Sequence, residues 1–135
     1  YINKIVKNRK KIVKKGVKVM LVLNMQSSSI IVAGENTSGS GFIDLIGGEN
    51  IFNTFEGWKP VSTEAILELN PDYIIVPQRN VHKGIDVTKI ADSELFKNTK
   101  AGKNKNFIFD DAMAITGFGP RTINSALNAT EFILK

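Results

Sequence analysis

The sequence predicts an α/β domain of three layers, Rossmann-like, with a mainly parallel sheet of about four strands. Three observations lead there. Short, almost wholly apolar runs at 17–23, 30–33, 73–76 and 107–109 have the composition of strands buried on both faces. Stretches with helical apolar spacing stand between them. No Asn-Gly or Asp-Gly pair joins two strand-like runs as a tight hairpin would.

Taken in order, residues 2–14 place Ile2, Ile5, Val6, Ile12 and Val13 among lysines, as in an amphipathic helix stopped at Gly16. After strands at 17–23 and 30–33, the turn 34–41 leads into a helix with Phe42, Ile43, Leu45 and Ile46 on its inner face, ended by Gly47-Gly48. Ser62 suits the N-cap of a helix carrying Ile66, Leu67 and Leu69, which Asn70-Pro71-Asp72 breaks. A strand at 73–76 is stopped by Pro77; a loop over 78–88 and a short helix over 89–96 follow. The strand at 107–109 ends at Asp110-Asp111. A last helix from Pro120 has Ile123, Ala126, Leu127, Thr130 and Leu134 along one face. In open parallel sheets, ligands bind beyond the carboxyl ends of the strands. The sequence assigns 24–29, 34–41, 77–84 and 110–119 to that edge.

Composition narrows the function. The 135 residues suffice for one domain, and no apolar run reaches the length of about 18 residues needed to cross a membrane. The absence of cysteine excludes disulfides and thiolate metal sites. The chain opens inside a helix without an initiator Met, which reads as an excised fragment whose targeting segment lies upstream. The net charge of +5 owes much to the lysines of 4–15. Such a run can follow phosphates, but no aromatic residue stands between Tyr1 and Phe42 to stack a base. The plain reading is a solvated helix face, with no nucleic-acid partner.

Catalytic signatures are missing. No serine stands in a Gly-x-Ser-x-Gly context, and no Gly-Lys-Ser/Thr phosphate loop occurs. Gly39-Ser40-Gly41 resembles a dinucleotide turn, but Asp44 stands where the third glycine belongs. An enzyme, for instance a small nucleotide-dependent one, is therefore the weaker class. His82, the single histidine, is a candidate iron or metal ligand, and a loop histidine is more commonly just solvated. The segment 110–122 is the most informative. An apolar loop with Met113, Ile115 and Phe118 precedes Gly119-Pro120-Arg121, with proline suited to the first helical position. A cation there opposes the helix dipole at a cost of a few tenths to ~1 kcal/mol. An anionic ligand would offset that cost, and so would pairing with Asp110 or Asp111.

Several blocks resemble the haem-binding members of the substrate-binding proteins of bacterial ABC importers. They are Ala33-Gly34-Glu35-Asn36-Thr37, Gly47-Gly48-Glu49-Asn50-Ile51-Phe52, and the run from Phe55 through Trp58, Ser62 and Glu64 to Val76. Thr99-Lys100-Ala101-Gly102 and Gly117-Phe118-Gly119-Pro120-Arg121-Thr122 complete the likeness and lean towards haem; the earlier blocks are shared with cobalamin and siderophore binders of the same class. The resemblance implies a two-lobed protein in which residues 1–15 end the interlobe helix and 16–135 form the C-terminal lobe. Haem would be the transported ligand, not a catalytic cofactor, its axial tyrosine coming from the N-terminal lobe; Tyr73 is read as core. This lobe would supply Met113, Ile115 and Phe118 to the porphyrin face, Arg121 to a propionate or the tyrosinate, and Asn36, Thr37 and Ser38 at a helix start. Glu64 would dock on the ABC permease. The protein would work in the periplasm or on the outer face of the cytoplasmic membrane, where a lipid anchor is one way of holding it.

Overall fold

The computed structural model describes residues 2–24, 30–78, 96–116 and 121–135. The elements are α1 (Ile2–Lys15), β1 (Lys18–Asn24), β2 (Ile30–Ala33), α2 (Ser38–Leu45), β3 (Glu49–Asn50), β4 (Trp58–Val61) and α3 (Thr63–Leu69). Then come β5 (Tyr73–Gln78), α4 (Lys100–Asn104), β6 (Phe107–Asp111), α5 (Ala112–Thr116) and α6 (Thr122–Leu134). The helix expected over 89–96 falls almost wholly outside the described residues.

Three layers form as predicted. Alternate residues of each central strand face opposite sides, so Val19, Leu21, Ile75 and Ile108 join the core under α1, α2, α5 and α6. Met20, Val22, Ile74, Val76 and Phe107 join a second core under α3 and α4, with Ile66, Phe96 and Ala101.

The sheet differs from the expectation in size and direction. Among the described residues it is mixed and six-stranded, in the order β4-β2-β1-β5-β6, with β3 also on β1. β1, β5 and β6 are parallel, whereas β2 is antiparallel to β1 and β4 antiparallel to β2. One edge of β1 thus serves two partners: parallel β3 at Lys18 and Val19, antiparallel β2 at Val22 and Asn24. The buried Asn50 side chain joins the two, donating to the Ala33 carbonyl at 3.0 Å and accepting from Phe52 N–H at 3.0 Å. β4 carries Pro60, which an outermost strand tolerates because its missing N–H need not enter a ladder.

The amino edge of the parallel strands is knitted by hydrogen bonds. Lys18 N–H donates to the Asp72 carboxylate at 3.0 Å, and Asp72 N–H to the Lys18 carbonyl at 2.8 Å. Lys100 N–H donates to the Asn70 side chain at 2.8 Å, Ala101 N–H to the Pro71 carbonyl at 3.1 Å, and Asn106 N–H to the Ala101 carbonyl at 2.8 Å. Thr99, fully buried, caps α4: its hydroxyl donates to the Phe96 carbonyl at 2.7 Å and accepts from Gly102 N–H at 2.9 Å.

Candidate functional site

The carboxyl edge is where β1, β5 and β6 end, and the topology brings three further pieces to it. α5 follows β6 without a break. The Tyr73 hydroxyl, at the start of β5, donates to the Ile133 carbonyl near the end of α6 at 3.3 Å, so α6 ends at the amino edge and starts at the opposite one. Val61, at the end of β4, pairs with Ile30, one residue beyond the Ile31 that pairs with Asn24; α3 therefore starts at this edge too.

Arg121 occupies the N-cap position of α6, its side chain making no capping bond and lying exposed. Met113 on α5 is 67% exposed, a large apolar side chain held outward. Ile115, expected beside it on a ligand wall, is instead a core residue at 0% exposure, packed with the cluster that includes Phe42 and Ile75. The reason is local. Residues 112–116 form a helical turn rather than the loop the sequence suggested, and two residues along a helix turn the side chain to the opposite side. Phe118 and His82 lie outside the described residues. Glu64 stands exposed in the first turn of α3, whose N-cap Ser62 accepts from Ala65 N–H at 3.1 Å. Among the described residues Glu64 forms no ion pair.

Asn36, Thr37 and Ser38 do not share the strand direction on which they were assigned to this edge. β2 runs against β1, so its end at Ala33 points away from the carboxyl edge. Their polar groups also have local work. Asn36, at φ 60°, donates to Glu56 at 3.0 Å. The Thr37 hydroxyl donates to the Gly34 carbonyl at 2.9 Å and accepts from Ser40 N–H at 3.0 Å as the N-cap of α2, whose first residue is Ser38. A cleft of ≈ 340 Å³ borders this turn, lined by Asn36, Thr37, Ser40, Asp44 and Asn50 among others. Gly39 next to it has a packing role: a Cβ would sit 2.6 Å from that of Ala33, so glycine lets α2 close onto β2.

Tyr73, read as core from the sequence, is half-buried against α6, edge-on to Phe132 with ring centroids 5.9 Å apart. Burial first, and the neighbouring Asp72 charge second, push its hydroxyl above the ordinary tyrosine range.

Residues 2–114 match the model of a family described as periplasmic binding protein. The chain belongs to the periplasmic binding protein family. Its members are extracytoplasmic transport proteins rather than enzymes, and the nucleotide-dependent enzyme weighed above falls away. Among solved structures, the periplasmic heme binding protein HutB of Vibrio cholerae is similar, at 25% identity and a TM-score of 0.79 over 96% of this chain and 53% of that one. A Staphylococcus epidermidis protein described as a possible iron-binding, periplasmic solute-binding protein has 24% identity and a TM-score of 0.74, with 98% and 53% covered. The periplasmic vitamin B12 binding protein BtuF of Vibrio cholerae has 19% identity and a TM-score of 0.72, with 98% and 50% covered. The chain therefore spans about half the length of the solved structures it matches. No curated protein sequence matches it significantly. No helix among the described residues is long and apolar enough to cross a membrane.

Proposed function

We propose that this periplasmic binding protein chain is the C-terminal lobe of a two-lobed protein that captures haem outside the cytoplasmic membrane and hands it to an ABC importer. The observation that carries the reading is that both an exposed cation, Arg121 at the start of α6, and an exposed apolar side chain, Met113 on α5, belong to elements at the carboxyl edge. Haem asks for both: a broad apolar face that gains from leaving water, and carboxylates that gain from a guanidinium. The likeness to HutB, a heme binding protein, at 25% identity supports haem as a cargo. The likeness to BtuF speaks for the fold alone.

In this reading residues 1–15 end the interlobe helix and 16–135 form the lobe. Met113 and Phe118 lie against the porphyrin, Arg121 meets a propionate or the ligand tyrosinate, and the N-terminal lobe supplies the axial ligand. Ile115 acts behind this wall by holding α5 in place. Glu64 faces the arginines of a permease subunit, where its exposed carboxylate would speed and orient docking.

The test is a titration of the full-length protein with haem, cyanocobalamin and a ferric hydroxamate. Haem is expected to shift the Soret band at stoichiometric addition, and Arg121→Ala to weaken binding about 10- to 100-fold, the loss of one charge-assisted hydrogen bond of about 1.5–3 kcal/mol. A protein that leaves the Soret band unmoved and binds one of the other ligands refutes haem as the cargo and leaves the family assignment standing.

A further inference from the structure

The outward face of α1 has the makings of a membrane-surface contact, and the geometry points to an anionic phospholipid bilayer as its partner. The charge is segregated. Seven of the chain's 18 Lys and Arg lie in α1 with none of its 13 acidic residues, so the net +5 is +7 from this helix and −2 from the remainder. Ile5 and Ile12 are buried and fasten the helix to the domain. Lys4 meets Glu131 at 3.8 Å and Arg9 meets Asp44 at 3.3 Å. Lys7, Lys10, Lys11, Lys14 and Lys15 form no ion pair among the described residues.

Exposed aliphatics accompany them. Ile2 is 64% exposed, Val6 47% and Val13 53%. Spacings of four and seven residues set these three on one stripe beside the buried face, and Lys10 and Lys14 border it. Val13 sits in a shallow groove of ≈ 380 Å³ with Arg9, Lys10 and Lys14 around it. A soluble polyanion would satisfy the lysines and leave the valines in water. A nucleic acid would also lack an aromatic partner, since 2–15 contain none. A bilayer surface takes both parts, headgroup phosphates on the ammonium groups and acyl chains on the aliphatic stripe.

The contact is independent of which ligand the protein carries. It is read by sedimenting the full-length protein with vesicles of phosphatidylcholine alone and with phosphatidylglycerol added. Binding to the anionic vesicles only is expected, weakening with salt. Each Lys→Gln change at Lys7, Lys10 or Lys14 should lower partitioning about fivefold. Val6→Ser with Val13→Ser should lower it about tenfold while leaving the lysines in place. These positions are exposed, so an unchanged melting temperature reports intact folding. Equal partitioning onto both vesicle types, none onto either, or full binding by the double valine variant would overturn the proposal. The last result would reduce the helix to a plain basic patch, and absent binding would mean that the lysines face only solvent or another part of the protein.

Discussion

Replacing Ile115 and Met113 one at a time by alanine separates the two roles that α5 plays. The side chains are two residues apart on one helical turn, yet one is 0% and the other 67% exposed. Removing a fully buried isoleucine to the β-carbon loses its transfer free energy and leaves a cavity, together about 2–5 kcal/mol. In a domain of 135 residues, about 3 kcal/mol lowers the melting temperature by roughly 10 °C. Removing Met113 exposes no core and should change stability by less than about 0.5 kcal/mol. Urea titration of both variants, with the wild-type m-value as a check on two-state behaviour, gives the two numbers directly. On the ligand side the order should reverse, with Met113→Ala weakening haem binding and Ile115→Ala, at a temperature where it is folded, largely retaining it. Equal losses of stability in the two variants, or a loss below about 1 kcal/mol for Ile115→Ala, would refute the placement of α5 against Phe42 and Ile75.

The buried cap at Thr99 should matter to stability and not to ligand: Thr99→Val removes both hydroxyl bonds and is expected to cost about 1–2 kcal/mol by thermal melting, with unchanged ligand affinity. Asn50→Ala strands the Phe52 N–H and the Ala33 carbonyl in the interior, and a loss of about 2–4 kcal/mol in urea unfolding is expected. Tyr73 carries a pH signature. Its raised folded value lets the unfolded chain ionise first, so the contribution is whole below pH about 10 and declines as pH climbs through the folded value. Urea midpoints of wild type and Tyr73→Phe measured from neutral to strongly alkaline pH should therefore converge at the alkaline end, and parallel curves would contradict the burial of that hydroxyl.

The central sheet was legible because strands covered on both faces need apolar side chains at nearly every position, and 17–23, 73–76 and 107–109 have them everywhere but at Lys18. The same criterion found β2 but was blind to its direction. Ile30–Ala33 has the composition of a buried parallel strand, and a polar link of several residues replaces the short turn that betrays a hairpin. β4 was hidden by Pro60 and by exposed Lys59, both acceptable on an outermost strand. The missed direction of β2 had a functional cost. Once β2 was taken as parallel, Asn36, Thr37 and Ser38 were drawn to the ligand edge, which the antiparallel register does not support. The place of Arg121 at the start of the last helix was legible, because Gly119-Pro120 marks a helix start in the sequence. That of Ile115 was not, since five apolar-rich residues are too few to show a helical period. Likewise the Thr99-Lys100-Ala101-Gly102 block that leaned the resemblance towards haem is a buried cap at the amino edge, an architectural device rather than a contact with cargo.

The hydrogen-bonded knot joining Lys18, Asp72, Ala101 and Asn106 has a consequence for how such a fold can diversify. It ties three strand beginnings together from groups that never meet the carboxyl edge, so the positions that hold the frame and the positions offered to a guest form separate sets. A lineage can then trade one cargo for another by rewriting a few side chains at the far rim, each change tolerated by an unaltered chassis. Mutational tolerance should accordingly be lopsided across the molecule, generous at one rim and meagre at the other.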